Sequence, residues 1–227
     1  MPGRNYSVVV LGAGGVGKTS MVVQFIHGFF PIDYNPTIED CYRHVVQLPD
    51  GIFHTVEILD TAGTHQFPAM RDLSIRSGQA FVIVYSINSE ESFHEAMKIC
   101  NLISKMKDGE TVPMVLVGNK ADLVNQRKVA KDYAGKYASE VLSCAHVETS
   151  AKFNINVGTL FTELLTKALN IVEKKDSSEK SKFRRSFKGL NNSLKIPRRF
   201  SMKRHSADGG TRTEPVQKPP SGKCVAL

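Results

Sequence analysis

One octapeptide narrows the possible folds of this chain more than any other feature. Gly12-Ala13-Gly14-Gly15-Val16-Gly17-Lys18-Thr19 fits the spacing G-x-x-x-x-G-K-[ST]. It lies between an apolar run, Tyr6 to Leu11, and a helix-length segment from about Lys18 to Gly28. Glycines at that spacing let the backbone curl so that successive N–H groups face one point, and the positive end of the following helix adds to them. Such a loop takes phosphate: Lys18 is expected to reach the β/γ-phosphates and the Thr19 hydroxyl to bind Mg²⁺.

The pattern downstream keeps the same strand–helix grammar. Val45 to Leu48 and Thr55 to Leu59 have strand composition, with Pro49-Asp50-Gly51 as the turn of a hairpin. Ala80 to Ile87 and Pro113 to Gly118 are continuous apolar runs, the mark of strands buried on both faces, and Cys144 to Thr149 is a weaker one. Ser92 to Lys107, Arg127 to Ser139 and Val157 to Val172 have helical periodicity. Strands alternating with helices predict an α/β fold with a mostly parallel, six-stranded sheet flanked by helices. Ligands of such sheets bind beyond the carboxyl ends of the strands.

Charge divides the chain in two. Residues 1–172 carry 15 Lys+Arg against 17 Asp+Glu, a net of −2; residues 173–227 carry 15 against 5, a net of +10, and together they make the chain's +8. The second part is Lys-, Arg- and Ser-rich, with too little apolar surface to offset the entropy of ordering. A domain over 1–172 and a basic tail over 173–227 are therefore expected. Cys41, Cys100, Cys144 and Cys224 have no disulfide or C-x-x-C spacing. No secretory leader opens the sequence, and no apolar stretch approaches the ~20 residues a spanning helix needs. A reducing, cytosolic setting is the expectation.

Five segments in order carry a family resemblance: the Gly12–Thr19 loop, Thr37, Asp60-Thr61-Ala62-Gly63, Asn119-Lys120-Ala121-Asp122 and Ser150-Ala151-Lys152. In order and spacing they resemble the Ras-like small GTPases, from residue 6 to about 172 and again at the chain end. The resemblance implies a P-loop G domain that binds and hydrolyses GTP with Mg²⁺. It implies nucleotide contacts from Gly14, Gly15, Val16, Gly17, Lys18, Thr19, Ser20, Phe30, Thr37, Gly63, Asn119, Lys120, Asp122, Leu123, Ser150, Ala151 and Lys152. Within that set Phe30 would pack on the base, Asn119 would lie near it, Lys120 would cover the ring and touch the P-loop, and the Ala151 N–H would meet the guanine oxygen. Asp122 suits guanine chemically, since a carboxylate accepts from both N1–H and the exocyclic amine, a donor pair that adenine lacks. Thr19, Thr37 and Asp60 would be the metal side; Lys18, Thr37, Gly63 and the residue at 64 would be the catalytic side. Tyr34, Asn35, Pro36, Thr37, Ile38, Glu39, Asp40, Cys41 and Tyr42 match the effector loop, beside which a partner with a Ras-binding-type domain would add a strand near Asp40 to Arg43. An exchange factor and an activating protein are implied as further partners.

Two departures from the family pattern matter. Thr64 stands where most Ras-like chains carry a Gln that orients the attacking water. Thr64 is too short for that role, and neither His65 nor Gln66 matches the position, so slow intrinsic hydrolysis is expected. Thr at this place resembles the Rap branch; His65 to Met70, Leu73-Ser74-Ile75, Val84 to Ile87, Glu148 to Lys152 and Asn156-Val157 resemble the Di-Ras branch. Asn35 replaces the usual Asp and removes one negative charge from the effector loop. A GTP-loaded scaffold with negligible turnover is the alternative to a cycling switch. A small-molecule P-loop kinase is set aside, because Asn119 to Asp122 has no role in that chemistry.

The chain ends in Cys224-Val225-Ala226-Leu227, a C-a-a-X pattern whose Leu favours geranylgeranylation of Cys224, followed in this family by trimming and methylation. One prenyl chain holds a membrane only reversibly. Fifteen basic tail residues supply the second signal, at ~1 kcal/mol each near an anionic leaflet, so the cytoplasmic face of the plasma membrane with a cytosolic pool is the expected location. Phe183, Phe187, Leu190 and Leu194 fall on one helical face, which suits a membrane surface or a calmodulin-like groove; a basic linker without fixed structure is the alternative. Ser186, Ser201 and Ser206 follow basic residues, so phosphorylation would weaken attachment. No base-stacking or groove-reading module accompanies the charge, and no nucleic-acid partner is expected.

Overall fold

The computed structural model describes residues 5–33, 35–63, 68–108 and 112–171. Tyr34, Thr64, His65, Gln66 and the expected tail with Ser186, Ser201, Ser206 and Cys224 lie outside them.

Six strands form a single sheet: β1 (Asn5–Gly12), β2 (Glu39–Gln47), β3 (Phe53–Thr61), β4 (Ala80–Ser86), β5 (Met114–Asn119) and β6 (Ala145–Glu148). Their order is β2-β3-β1-β4-β5-β6, with only β2 antiparallel to its neighbour. The helices are α1 (Lys18–His27), α2 (Pro68–Ser77), α3 (Glu90–Met106), α4 (Lys131–Glu140) and α5 (residues 157–171). No helix among the described residues is long and apolar enough to cross a membrane.

Strand periodicity explains the two layers of core. Val8, Val10, Val82 and Val84 point to one face, where Met21 and Val22 of α1 and Leu160, Phe161, Leu164 and Leu165 of α5 cover them. Val9, Leu11, Phe81, Ile83 and Tyr85 point to the other, against Ile75 of α2, Phe93, Ala96, Ile99, Cys100 and Ile103 of α3, and Ala134 and Ala138 of α4. Because side chains alternate along a strand, a central strand covered on both sides must be apolar at every position. All seven residues of β4 are buried.

The differences from the sequence reading have local causes. Strand β2 begins at Glu39 instead of Val45, since an outer strand with one covered face alternates Tyr42, His44 and Val46 inward with Cys41, Arg43 and Val45 outward, and its first half is polar. Helix α2 was not expected at all: only Ser74 and Ile75 of it are buried, too few for a readable stripe. Helix α3 starts two residues early, at Glu90, because the Ser89 side chain accepts from the Ser92 N–H as an N-cap, with Glu90 and Glu91 in the first turn. Helix α4 starts at Lys131, not Arg127, since Val124–Gln126 forms a separate 3₁₀ turn.

Candidate nucleotide site

The P-loop spans from the end of β1 to the start of α1, and its glycines are required by contact as well as by dihedral angle. A Cβ on Gly12 (φ 145°) would sit 2.1 Å from the Val84 carbonyl oxygen, and one on Gly17 (φ 94°) 2.4 Å from Asn119 Nδ2. Lys18, almost fully buried, donates from Nζ to the carbonyls of Gly12 and Ala13 at 3.0 and 2.9 Å, so the ammonium is held at the mouth of the loop. Burial lowers its pKa to about 8, with Asp60 the main opposing influence.

Three oxygen-bearing side chains converge beside the loop. Thr19 Oγ1 donates to Asp60 Oδ2 at 2.6 Å, which leaves Thr37 Oγ1 as donor in the 2.7 Å contact between the two hydroxyls. Asp60 has no exposed surface, its Oδ1 has no hydrogen-bond partner, and burial raises its pKa to about 6 against the pull of Thr19 and Lys18. An orphaned buried carboxylate oxygen flanked by two hydroxyls fits a small, hard divalent cation that keeps several waters. Among the described residues no cluster of three His, Cys, Asp or Glu offers a different kind of metal site. Gly63, two residues beyond the end of β3, lies so close to Gly14 that a Cβ would be 2.9 Å from its backbone. The backbone N–H of Ala62 donates to Ile38 O at 3.1 Å and Ser74 Oγ to Glu39 Oε1 at 3.2 Å, so the segment around Thr37 is tied to the one after Asp60 and to α2.

The other end of the site is a braced pair of loops. Asn119 is buried; its amide donates to Val16 O at 2.9 Å, and its oxygen accepts from Thr149 Oγ1 and the Ala151 N–H, each at 3.2 Å. Lys120, in the left-handed region at φ 63°, donates from Nζ to Gly15 O at 2.7 Å, and burial lowers its pKa. Asp122 Oδ1 accepts from Ser150 Oγ at 2.6 Å, which fixes one carboxylate oxygen. Behind these loops Arg127 makes a bidentate pair with Glu148, Nη1 to Oε1 at 2.6 Å and Nη2 to Oε2 at 2.9 Å, while Asn156 Nδ2 donates to Glu148 O.

These parts enclose a cleft of about 480 Å³. Of the residues expected to contact nucleotide, Gly14, Gly15, Gly17, Lys18, Thr19, Ser20, Phe30, Thr37, Gly63, Asn119, Lys120, Asp122, Leu123, Ala151 and Lys152 line it. Val16 and Ser150 do not. Val16 is a core residue that offers its carbonyl to Asn119, and Ser150 is fully buried and works by holding Asp122. Asn119 likewise braces the P-loop against the 149–151 segment, and the Ala151 N–H is already engaged by Asn119. Val23, Pro31, Ile32, Asp33, Asn35, Pro36 and Thr61 also line the cleft. No motif marks Val23, which lies within α1, or Pro31 to Asp33, a mixed apolar and polar stretch after it.

A glycine-rich loop with a buried lysine at the first βα junction, a buried carboxylate beside two threonine hydroxyls and a second carboxylate at the far end of one cleft have the arrangement of a P-loop nucleotide-binding domain. Compared with protein-family models, residues 7–170 match the Ras family. The chain belongs to that family: it is a small GTPase, a GTP-binding switch of the kind that works with Mg²⁺, exchange factors, activating proteins and effectors.

Proposed function

We propose that this chain is a Di-Ras/Rap-like, lipid-anchored signalling switch that hydrolyses GTP slowly. The observation that carries the enzymatic part is the meeting of Thr19, Thr37 and Asp60 at the phosphate end of a cleft whose other end presents Asp122. GTP would lie with its β/γ-phosphates in the P-loop, where Lys18 and successive backbone N–H groups stabilise charge that develops on the γ-oxygens. Thr19, Thr37 and Asp60 would hold Mg²⁺, which when bound neutralises phosphate charge. Water attacks the γ-phosphorus in line, and the bond to the β,γ-bridging oxygen breaks. Thr64 lacks the reach to orient that water, which is the reason for a slow rate.

Thr37 and Gly63 would sense the γ-phosphate, so the loops that carry them would be ordered by GTP and released by its loss. An effector would then add a strand to β2, which is an outer strand of the sheet and carries Glu39, Asp40, Cys41 and Tyr42. Geranylgeranylated Cys224 and the basic tail would hold the protein at the cytoplasmic face of an anionic membrane.

The test is single-turnover GTP hydrolysis by wild type and Thr64→Gln, with the bound nucleotide identified first. Acceleration of about tenfold or more in the variant is expected, the scale of a positioned water-orienting group. Equal rates would shift the reading to a GTP-loaded scaffold, and the absence of bound guanine nucleotide would overturn it.

A further inference from the structure

At its far end the cleft is bordered by a turn whose backbone is closed twice. The Ser150 N–H donates to Ile155 O at 3.1 Å, and the Ile155 N–H donates back to Ser150 O at 2.9 Å. The Ser150 hydroxyl, which donates to Asp122, also accepts from the Phe153 N–H at 3.3 Å. Asn154 lies in the left-handed region of the turn at φ 55°. Two neighbours of opposite character stand on this fixed backbone. Lys152 lines the nucleotide cleft, whereas Phe153 does not, and Phe153 is 59% exposed. Burial therefore gives no account of so large an apolar side chain here. A contact does: Lys152 Nζ sits over the Phe153 ring, 5.4 Å from its centroid. Among the described residues no salt bridge holds that ammonium.

We propose that Phe153 is a positioning residue for Lys152, and that through this contact it lengthens the stay of the bound nucleotide. The ring draws the ammonium toward itself, so that the apolar stem of Lys152 is what an entering base meets along the cleft wall. The inference rests on a guanine nucleotide occupying the cleft. Its energetic basis is pre-organisation. A lysine side chain has several rotatable bonds, and fixing it before the ligand arrives removes that ordering cost from binding. Without the ring the stem is spread over several rotamers, and the nucleotide must order it. An ammonium over an aromatic face at an exposed site shifts an equilibrium by about two- to fivefold. Among variants of one site such a loss falls mainly on the dissociation rate. Because Ser150 and Ile155 close the turn through their backbones, a change confined to the ring leaves Asp122 and its Ser150 partner in place.

The experiment follows release of a fluorescent GDP analogue from the full chain in excess Mg²⁺. It compares wild type with Phe153→Leu, Phe153→Tyr, Lys152→Met and the double variant Lys152→Met with Phe153→Leu. Leucine removes the aromatic face and keeps apolar bulk, tyrosine keeps the face, and methionine keeps an unbranched stem without the charge. Phe153→Leu is expected to speed release about two- to fivefold. Phe153→Tyr is expected to release nucleotide at the wild-type rate. In the Lys152→Met background, Phe153→Leu is expected to add nothing, since the cycle then has no ammonium left to position. Equal or slower release from Phe153→Leu would overturn the proposal. So would the same acceleration in the Lys152→Met background, because the ring would then act without the ammonium. A wild-type chain that retains no guanine nucleotide would overturn the reading of the cleft and this one with it, whereas nucleotide retained and released at one rate by all variants overturns the positioning role alone.

Discussion

Replacing Glu148 with Gln tests whether a pair outside the cleft sets how long the nucleotide stays in it. The Arg127 guanidinium meets both carboxylate oxygens of Glu148, and the two side chains are 26% and 11% exposed. An exposed pair is worth ~0.2–1 kcal/mol, while breaking a fully buried one costs ~3–5. A bidentate pair at intermediate depth belongs between them, at about 2 kcal/mol. Arg127 follows the turn that ends the Asn119–Leu123 segment, and Glu148 is the last residue of β6 before Thr149, Ser150 and Ala151. The lost energy therefore falls on the relative placement of the two loops that form the far end of the cleft. At 1.4 kcal/mol per decade, full expression in the bound state is a rise of about 30-fold in the GDP dissociation rate. If half is spent on the stability of the whole domain, about 5-fold remains. The assay is displacement of a fluorescent GDP analogue in excess Mg²⁺, read beside the thermal midpoint. Release within two-fold of wild type in a variant whose midpoint has dropped would refute the reasoning, because the pair would then be holding the fold and not the site. The charge-swapped double variant Arg127→Glu with Glu148→Arg should recover most of the loss.

Asp122→Asn should move preference from guanosine to xanthosine nucleotides by about 10²-fold or more, since the amide can donate where the carboxylate accepts; competition binding with GDP and XDP measures it. Gly17→Ala should abolish nucleotide binding, because its Cβ would stand 2.4 Å from buried Asn119 Nδ2 at φ 94°; a nucleotide content near that of wild type after purification would contradict the clash. His146 accepts or donates at Nε2 to the Tyr85 hydroxyl at 2.9 Å, and burial holds its pKa below the ordinary value. The unfolded chain therefore binds the His146 proton first as pH falls. Stability from this group is present above the unfolded value of about 6.5 and lost below it, down to the folded value. Thermal midpoints between pH 7.5 and 5.5 should fall less steeply in His146→Gln than in wild type.

Most of the glycine loop's geometry was legible in the sequence, because each requirement there is tied to a residue type. Only glycine passes at Gly12 and Gly17, and only an ammonium on a long stem spans from α1 to the P-loop carbonyls. The buried strands were legible for the related reason that two covered faces forbid polar residues. What stayed hidden depends on partners distant in sequence. Asn119 is read as a base contact from its motif, but its reach to Val16, 103 residues away, appears only in the fold. Ser150 and Glu148 act through Asp122 and Arg127, and nothing in their own neighbourhood announces those partners. Helix α2 was missed because it buries so little of itself.

The hydrogen bonds from Ala62 to Ile38 and from Ser74 to Glu39 have a thermodynamic consequence for anything that docks on β2. They join the end of the Thr37 segment to β3's exit and to α2, so ordering one of these segments favours ordering the other. Linkage then runs both ways. A partner that binds the ordered segment 50-fold more tightly when GTP is present must raise GTP affinity by the same factor, about 2.3 kcal/mol of shared coupling. Each docked effector is thus also a brake on the loss of the very nucleotide that recruited it.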